Sequence, residues 1–262
     1  MADPASYLTS LFGLAGKTAV IIGGTGTLGS ELGRALASAG AHIVICGRGE
    51  ATGETVVAGI REMGGSAELR LVDATSREEL EQLRDTLAAD EMPVDVLINA
   101  AGINSATPFV EIETGEWDKI LDVNLKSVFL ACQVFAPGMI EAGRGSIINI
   151  ASMSAITPLS RVFTYSVSKA GVLNLTRNLA REWAPHNVRV NAISPGFFPA
   201  EQNKAVLDED RVQTILAHTP MARFGEANEL AGAVLLLAAP VAGQFITGEN
   251  LVVDGGFSSM TI

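Results

Sequence analysis

The sequence predicts an α/β fold in which a doubly wound parallel sheet carries helices on both faces. Short apolar runs alternate with longer helical segments along the chain, and a glycine-rich turn follows the first apolar run. The chain has 262 residues, of which 48% are hydrophobic and only 18% are charged. Strand–helix alternation is typical of parallel sheets. The apolar content predicts a folded protein with a large core.

Seven short runs are predicted as strands, because most are continuous and apolar, as in strands buried on both faces. They cover residues 18–22, 42–46, 67–72, 94–98, 145–150, 188–193 and 250–253. The segments between them are predicted as helices over 28–39, 51–63, 77–88, 114–142, 164–184 and 228–237.

The chain is interpreted as a single domain, 1–262, with residues 1–16 as a short lead-in. We find no repeat and no linker rich in Pro, Gly or Ser. The least regular stretch is 194–225, which holds Pro195, Gly196, Pro199 and Pro220 around a helical run at 201–217. Loops at the carboxyl ends of parallel strands usually carry the ligand site. Residues 196–225 are therefore expected to cover the substrate.

The charge balance argues against several classes of partner. The net charge of −11 disfavours nucleic acid and anionic membranes. No uninterrupted apolar run approaches the roughly 20 residues of a membrane span, and the N-terminus does not resemble a signal peptide. Cys46 and Cys132 lie in apolar runs and are expected to be buried thiols, with no metal site. We expect a cytoplasmic protein with a small-molecule ligand.

The turn after the first strand, residues 23–29, has the composition of a phosphate-binding loop. Glycines allow the backbone to approach a pyrophosphate closely, and the following helix offers free amides and a partial positive charge. A glycine-rich turn alone is a weak signal, but its place between strand and helix strengthens it. The expected cofactor contacts here are Gly23, Thr25, Thr27, Leu28 and Gly29.

The end of the second strand bears on the choice of cofactor. A site for NAD usually has an acidic residue there, which holds the ribose 2′-hydroxyl. This chain has Arg48 instead, and a guanidinium suits a 2′-phosphate. The residues therefore favour NADP(H), with NAD(H) possible. Further contacts are expected from Asp73 and Ala74 near the adenine, and from Asn99, Ala100 and Gly102 under the cofactor.

Tyr165, Lys169 and Ser152 are the expected chemical centre. Tyr165 and Lys169 are four residues apart, so both reach one pocket if the segment is helical. A Tyr has an ordinary pKa of about 10, and a nearby ammonium is expected to lower it. A Ser hydroxyl then hydrogen-bonds the oxygen whose charge changes. Taken alone, such spacing also occurs by accident on surface helices.

Together these motifs resemble the short-chain dehydrogenase/reductase family, over essentially the whole chain. The Y-x-x-x-K pair stands at Tyr165 and Lys169, Ser152 lies upstream, and Asn124 stands in Asp-Val-Asn-Leu. Pro-Gly after the sixth strand and Asp-Gly-Gly after the last also match. The chain departs from the family pattern at three places: Ile22 (usually Thr), Thr27 (usually Gly) and Ala100 (usually Asn).

The resemblance implies an NAD(P)-dependent oxidoreductase with a Rossmann-type sheet. It assigns Tyr165 as general acid or base, Lys169 to the nicotinamide ribose, and Asn124 to a water that links Lys169 to solvent. Pro195, Gly196 and Phe198 are implied near the nicotinamide. Family members are commonly tetramers or dimers, and the apolar segments 123–135 and 172–179 are candidate interfaces.

A narrower resemblance concerns the segment after Pro-Gly, which is similar to short-chain enzymes described as D-mannonate oxidoreductases (fructuronate reductases). It implies a sugar-acid substrate. The alternatives are another polyol, a gluconate, a 3-oxoacyl substrate, or a nucleotide sensor without turnover. The expected substrate contacts are Asn104, Ser152, Ser154, Arg161, Gln202, Asn203, Lys204 and His218.

Overall fold

The computed structural model describes residues 3–198 and 208–261. Seven strands form one sheet in the order β3-β2-β1-β4-β5-β6-β7, and every pair is parallel. The strands are β1 Thr18–Ile22, β2 His42–Gly47, β3 Ser66–Leu71, β4 Val94–Asn99, β5 Gly145–Ile150, β6 Val188–Pro195 and β7 Asn250–Val253. The predicted fold class is confirmed. The order reverses beside β1, which is the switch point where such sheets bind ligands.

Strand composition follows position in the sheet. All five residues of the central β1 are buried, which matches its continuous apolar sequence. The edge strand β3 instead carries Glu68 and Arg70 in partly exposed positions, joined by an ion pair of 2.9 Å. Charged side chains on an edge strand disfavour pairing with another sheet.

Nine helices are found within the described residues. They are α1 Pro4–Phe12, α2 Thr27–Ser38, α3 Glu50–Glu62, α4 Arg77–Ala89, α5 Thr114–Leu121, α6 Ser127–Ala142, α7 Phe163–Trp183, α8 Glu209–His218 and α9 Ala231–Ala238. The N-terminal helix α1 was not predicted from the sequence. It has no buried residue, and apolar side chains such as Tyr7 and Leu8 are exposed, so it lies outside the alternation of buried strands and covering helices on which the prediction rested.

The core has two halves, one on each face of the sheet. Alternate strand residues point to opposite faces. Val20 and Leu97 therefore pack with α4, α6 and α7, whereas Ile21 and Ile98 pack with α2, α3 and α9. This two-sided packing holds the strand ends, and the loops after them, in fixed relative positions.

The predicted single helix at 114–142 is interrupted. A π-helical turn, Asp122–Lys126, lies between α5 and α6 and points Asn124 into the protein, where it is fully buried. The combined stretch Thr114–Ala142 is long and apolar enough to cross a membrane by length and composition, which we did not expect from the sequence. More than half of its apolar window is buried inside the protein, as in the core helix of a soluble fold.

Candidate active site

A pocket of about 350 Å³ opens at the carboxyl edge of the sheet. It is lined by residues from the loops that follow β1 through β6 and by α7 and α8. One end lies against the glycine turn at residues 23–29, and the other against Tyr165 and Lys169. The pocket is therefore long enough to join the predicted phosphate loop to the predicted chemical centre.

The turn after β1 fits a closely bound phosphate. Gly23 has φ +81°, and a Cβ there would lie 2.5 Å from the amide nitrogen of Ala101. A Cβ on Gly29 would lie 2.4 Å from the carbonyl oxygen of Gly23, so only glycine allows this turn against the helix. No side chain caps the N-terminus of α2, where Thr27 and Leu28 line the pocket. The first amides of that helix are available to an anion.

Arg48 and Asp73 lie at the nucleotide end of the pocket. Arg48 is exposed and makes no hydrogen bond or ion pair to any residue in the described ranges. Asp73 accepts hydrogen bonds from the amide and hydroxyl of Thr75, at 2.9 and 2.7 Å. These bonds, and then the charge of Arg48, hold the pKa of Asp73 below its ordinary value. The ionised carboxylate of Asp73 can therefore accept hydrogen bonds from a ligand, and the guanidinium of Arg48 can bind an anionic group.

Tyr165 and Lys169 share the inner face of α7 as the spacing predicts. The Lys169 Nζ lies 5.7 Å from the centre of the Tyr165 ring and donates to the carbonyl oxygen of Ile150 at 2.7 Å. Lys169 is only 3% exposed, and Tyr165 is half-buried. Both side chains line the pocket. The phenol of Tyr165 and the ammonium of Lys169 are therefore held at the same end of the pocket and shielded from most of the solvent.

The pKa values differ from the sequence expectation. Burial raises the pKa of Tyr165, and the effect that opposes it is a hydrogen bond with Ser152 rather than the charge of Lys169. Burial also lowers the pKa of Lys169 to about 8. The expectation that Lys169 lowers the Tyr165 pKa is therefore wrong for this arrangement, because desolvation disfavours the charged form of both groups.

Ser152 is held in place by Ser154. The amide and the hydroxyl of Ser154 both donate to Ser152 Oγ, at 3.1 and 3.0 Å. Ser154 is 5% exposed and is not among the pocket-lining residues. We expected it to contact substrate; the structure places it behind Ser152 instead. Two donors on Ser152 Oγ leave the Ser152 proton to be donated towards Tyr165 or a ligand oxygen.

Asn124 is buried behind the pocket wall and holds it in place through hydrogen bonds. Its Oδ1 accepts from the amide of Ile103 at 2.8 Å, and its Nδ2 donates to the Ile103 carbonyl at 2.9 Å. Nδ2 also donates to Ser168 Oγ at 3.0 Å, and Ser168 donates to the carbonyl of Tyr165. This amide therefore joins the loop after β4 to the helix turn that carries Tyr165.

Most other expected residues line the pocket, but two of those in the described ranges do not. Asn99 is buried and donates to Asn149 Oδ1 at 2.9 Å, so it links β4 to β5 instead of contacting a cofactor. His218 is at the far end of α8, with its ring 4.5 Å from the ring of Phe257. Gln202, Asn203 and Lys204 lie outside the described residues. The lining includes the expected Thr25, Ala74, Ala100, Gly102, Asn104, Arg161, Pro195, Gly196 and Phe198.

Sequence reasoning missed Arg211, which lines the pocket near Arg161. Its side chain donates to the hydroxyl and the carbonyl of Ser160, at 3.1 and 3.0 Å. The sequence did contain one indication of this position. Asp208, three residues earlier, is a typical N-cap residue, and it marks the start of the helix and therefore the face on which Arg211 lies. No group of three potential metal ligands occurs among the described residues.

A parallel sheet with a glycine cradle at one end of its pocket, and a Tyr–Lys–Ser set at the other, defines a dinucleotide-dependent oxidoreductase. Comparison with known proteins agrees with this class. Residues 24–258 match a family described as enoyl-(acyl carrier protein) reductase.

Individual relatives cover nearly the whole chain. The sequence is 39% identical to galactitol 2-dehydrogenase of Rhizobium johnstonii, over 94% of this chain and 97% of that protein. It is 35% identical to 5-keto-D-gluconate 5-reductase of Escherichia coli, over 95% and 98%. A solved gluconate 5-dehydrogenase from Burkholderia cenocepacia, in complex with NADP and tartrate, is 34% identical. It superposes with a TM-score of 0.92 over 97% of this chain and 100% of its own.

The chain belongs to the short-chain dehydrogenase/reductase family. It is an NAD(P)-dependent oxidoreductase that acts on CH–OH groups.

Proposed function

We propose that this enzyme interconverts a secondary alcohol and a ketone on a gluconate-type sugar acid or a related polyol, with NADP(H) as the cofactor. The observation that carries the proposal is one pocket with Tyr165, Ser152 and Lys169 at its inner end and an unpaired Arg48 at the other. The first set handles a proton at a carbonyl oxygen, and the second selects the nucleotide.

The residues divide the chemistry as follows. A bound nicotinamide supplies hydride transfer. Tyr165 donates its proton to the substrate oxygen in reduction and removes it in oxidation. Ser152 donates a hydrogen bond to the same oxygen, where charge develops. Lys169 reaches the cofactor side of the pocket and holds the ribose hydroxyls. Asn124 is a positioning residue, because it fixes the Ile103 loop and not a reacting atom.

The preference for NADP(H) rests on Arg48. It lies after β2, where an acid would hold a 2′-hydroxyl, and within the described residues it makes no hydrogen bond or ion pair. A planar guanidinium suits the 2′-phosphate, whose oxygens it can contact bidentately. The Burkholderia cenocepacia relative, which was solved with NADP, supports the same preference.

The substrate class rests on the relatives together with the pocket. Named relatives act on 5-keto-D-gluconate, gluconate and galactitol, all densely hydroxylated. They favour the gluconate alternative over fructuronate or mannonate. Polar donors at the mouth, such as Asn104, suit hydroxyl groups better than an acyl chain.

Several expectations from the sequence remain part of the proposal. These are a single domain over 1–262, a substrate-covering role for 196–225, a cytoplasmic location and a homotetramer or homodimer. Exposed apolar side chains on α6 and α7, Phe129 and Val167, support a helix-mediated contact between copies.

The test is a rate comparison of NADPH and NADH with 5-keto-D-gluconate, fructuronate and an acyl ketone. We expect NADPH and 5-keto-D-gluconate to give the highest kcat/KM. Tyr165→Phe should lower kcat by about 100- to 10,000-fold, because the general acid is lost, while NADPH still binds. The chain's other tyrosine, the exposed Tyr7, provides the matched control Tyr7→Phe. Near-wild-type turnover in Tyr165→Phe would refute the proposed mechanism.

A further inference from the structure

The charge inside the pocket is opposite to the charge of the whole protein. The net charge of the chain is −11. Among the described residues, however, the pocket-lining side chains include Arg48, Arg161, Lys169 and Arg211 as cations and only Asp73 as an anion. Arg48 and Asp73 lie at the nucleotide end. The two remaining arginines, Arg161 and Arg211, are not needed for the cofactor and proton-transfer roles proposed above.

Arg161 and Arg211 approach the pocket mouth from different elements. Arg161 precedes α7, four residues before Tyr165, and Arg211 is in the first turn of α8. Arg161 donates to Asp208, the N-cap residue of α8, and Arg211 donates to Ser160, the residue before Arg161, so the two side chains lie close together. Burial and then the positive charge of Arg161 lower the pKa of Arg211, as expected for neighbouring cations. Bringing two cations together costs free energy, unless an anion joins them.

Most donors of this pair are not used by the contacts described. A guanidinium has five N–H donors. Arg161 donates from Nη1 to Asp208 Oδ2 at 3.2 Å, and Arg211 donates from Nη1 and Nη2 to Ser160. The side chain of Asp208 is itself more than half exposed, and its carboxylate also accepts a hydrogen bond from the amide of Arg211. It is thus a weak competitor for a carboxylate that enters from the pocket.

The backbone at Arg161 is also unusual. Its φ of +69° lies in the left-handed region, which costs a non-glycine residue about 1–2 kcal/mol. Residues held in such conformations concentrate at ligand sites, because the surrounding structure must impose them. Here the strained residue lines the pocket with its side chain 52% exposed, so a ligand that enters the pocket can reach its guanidinium.

We propose that Arg161 and Arg211 form a carboxylate clamp, which binds the acid group of the substrate while Tyr165 and Ser152 engage its ketone or alcohol. This inference rests on the proposed function and sharpens it. The named relatives include enzymes for acids and one for the neutral polyol galactitol. The clamp assigns this chain to the acids, because a neutral polyol would desolvate the two cations without compensating their charge.

The experiment compares gluconate with galactitol, at saturating NADP+, in the wild type and in Arg161→Gln and Arg211→Gln. Each substitution should raise the KM for gluconate by about tenfold or more, since it removes charge-assisted hydrogen bonds. The KM for galactitol should change by less than about twofold. The control is Arg223→Gln, an arginine outside the pocket that pairs with Glu229.

Asp208→Asn should change the KM for gluconate in the opposite direction from the arginine substitutions. Asn is also a good N-cap residue, so α8 keeps its start, but Arg161 loses its competing carboxylate. The KM for gluconate should fall. A purely structural ion pair would instead lower the melting temperature and leave the selectivity between acid and polyol unchanged.

Binding of gluconate to the NADP+ complex, measured by calorimetry, separates the clamp from the proposed function. If no substrate is turned over but gluconate binding is weakened by Arg211→Gln, the proposed function fails and the clamp holds. If turnover occurs and either Arg variant shifts the KM values of acid and polyol equally, the clamp is refuted. A wild type that prefers galactitol would also refute it.

Discussion

Burial acts on both ionisable groups at the inner end of the pocket, Tyr165 and Lys169, and it favours the neutral form of each. The phenol pKa is raised, and the ammonium pKa falls to about 8. A protonated Tyr165 is what carbonyl reduction needs at neutral pH, since the phenol must then donate a proton. The hydrogen bond with Ser152 limits the increase, so the same residue keeps access to the phenolate for oxidation.

This arrangement predicts opposite pH profiles for the two directions. Oxidation needs the deprotonated phenol, so its kcat/KM should rise with pH towards the raised pKa. Reduction needs the protonated phenol, so its kcat/KM should stay flat through neutral pH and fall only in alkali. Steady-state rates in both directions, from about pH 6 to about pH 10, would measure this. If the rate of reduction already declines with rising pH before neutral pH is reached, the raised pKa of Tyr165 is contradicted.

At the scale of elements, two irregular segments place the site. The π-turn Asp122–Lys126 directs Asn124 inward, and such turns are often associated with functional sites. The glycine turn between β1 and α2 lies against the loop after β4 because Gly23 has no side chain, and the start of α2 lies against the turn because Gly29 has none. Regular helix and strand geometry would produce neither contact.

Gly23→Ala tests the glycine turn. Its Cβ would overlap the backbone of Ala101, and the positive φ would be strained. We expect the free energy of unfolding to fall by about 1–3 kcal/mol and NADP(H) binding to weaken strongly. The measurements are urea denaturation and titration of the cofactor.

The matched control is Gly138→Ala, an exposed position in α6 where nothing lies within 4 Å of a Cβ. There alanine should raise helix stability by about 0.5–1 kcal/mol. Normal cofactor affinity in Gly23→Ala would show that the turn does not need glycine at this position.

At the scale of the whole molecule, the sheet is a rigid support because both its faces are packed. Leu97 and Ile98 are neighbours in β4, and each is completely buried, but in opposite halves of the core. The pocket lies at the carboxyl edge of the same strands. Loss of packing on either face should therefore reduce stability before it alters the chemistry.

Leu97→Ala and Ile98→Ala should each lower the free energy of unfolding by about 2–5 kcal/mol. Val110→Ala, at a position that is 90% exposed, should change it by less than about 0.5 kcal/mol. Thermal denaturation measures the order of stability. The KM values of the folded variants should remain near those of the wild type. If only one of the two substitutions lowered stability strongly, the core would not be shared equally between the two faces of the sheet.

The sequence predicted the seven strands to within a few residues, because burial on both faces makes most of them continuous apolar runs. It also predicted that Tyr165 and Lys169 share a helix face, which is a local property of the helical period. Helix α1 was not predicted, because it buries no apolar face against the core. The interruption of the helix was not predicted either, because α6 is apolar and buried on most sides, so a change in helical phase leaves no visible break in its pattern.

By itself, then, the sequence determined the fold class, the glycine turn and the spacing of the chemical residues. Each depends on near neighbours along the chain. Only the tertiary structure placed Ser154 behind Ser152, Asn99 inside the sheet and Arg211 beside Arg161. It also set the direction of the Tyr165 pKa. The physical reason is that contact between distant residues and desolvation both arise from packing, which no local pattern encodes.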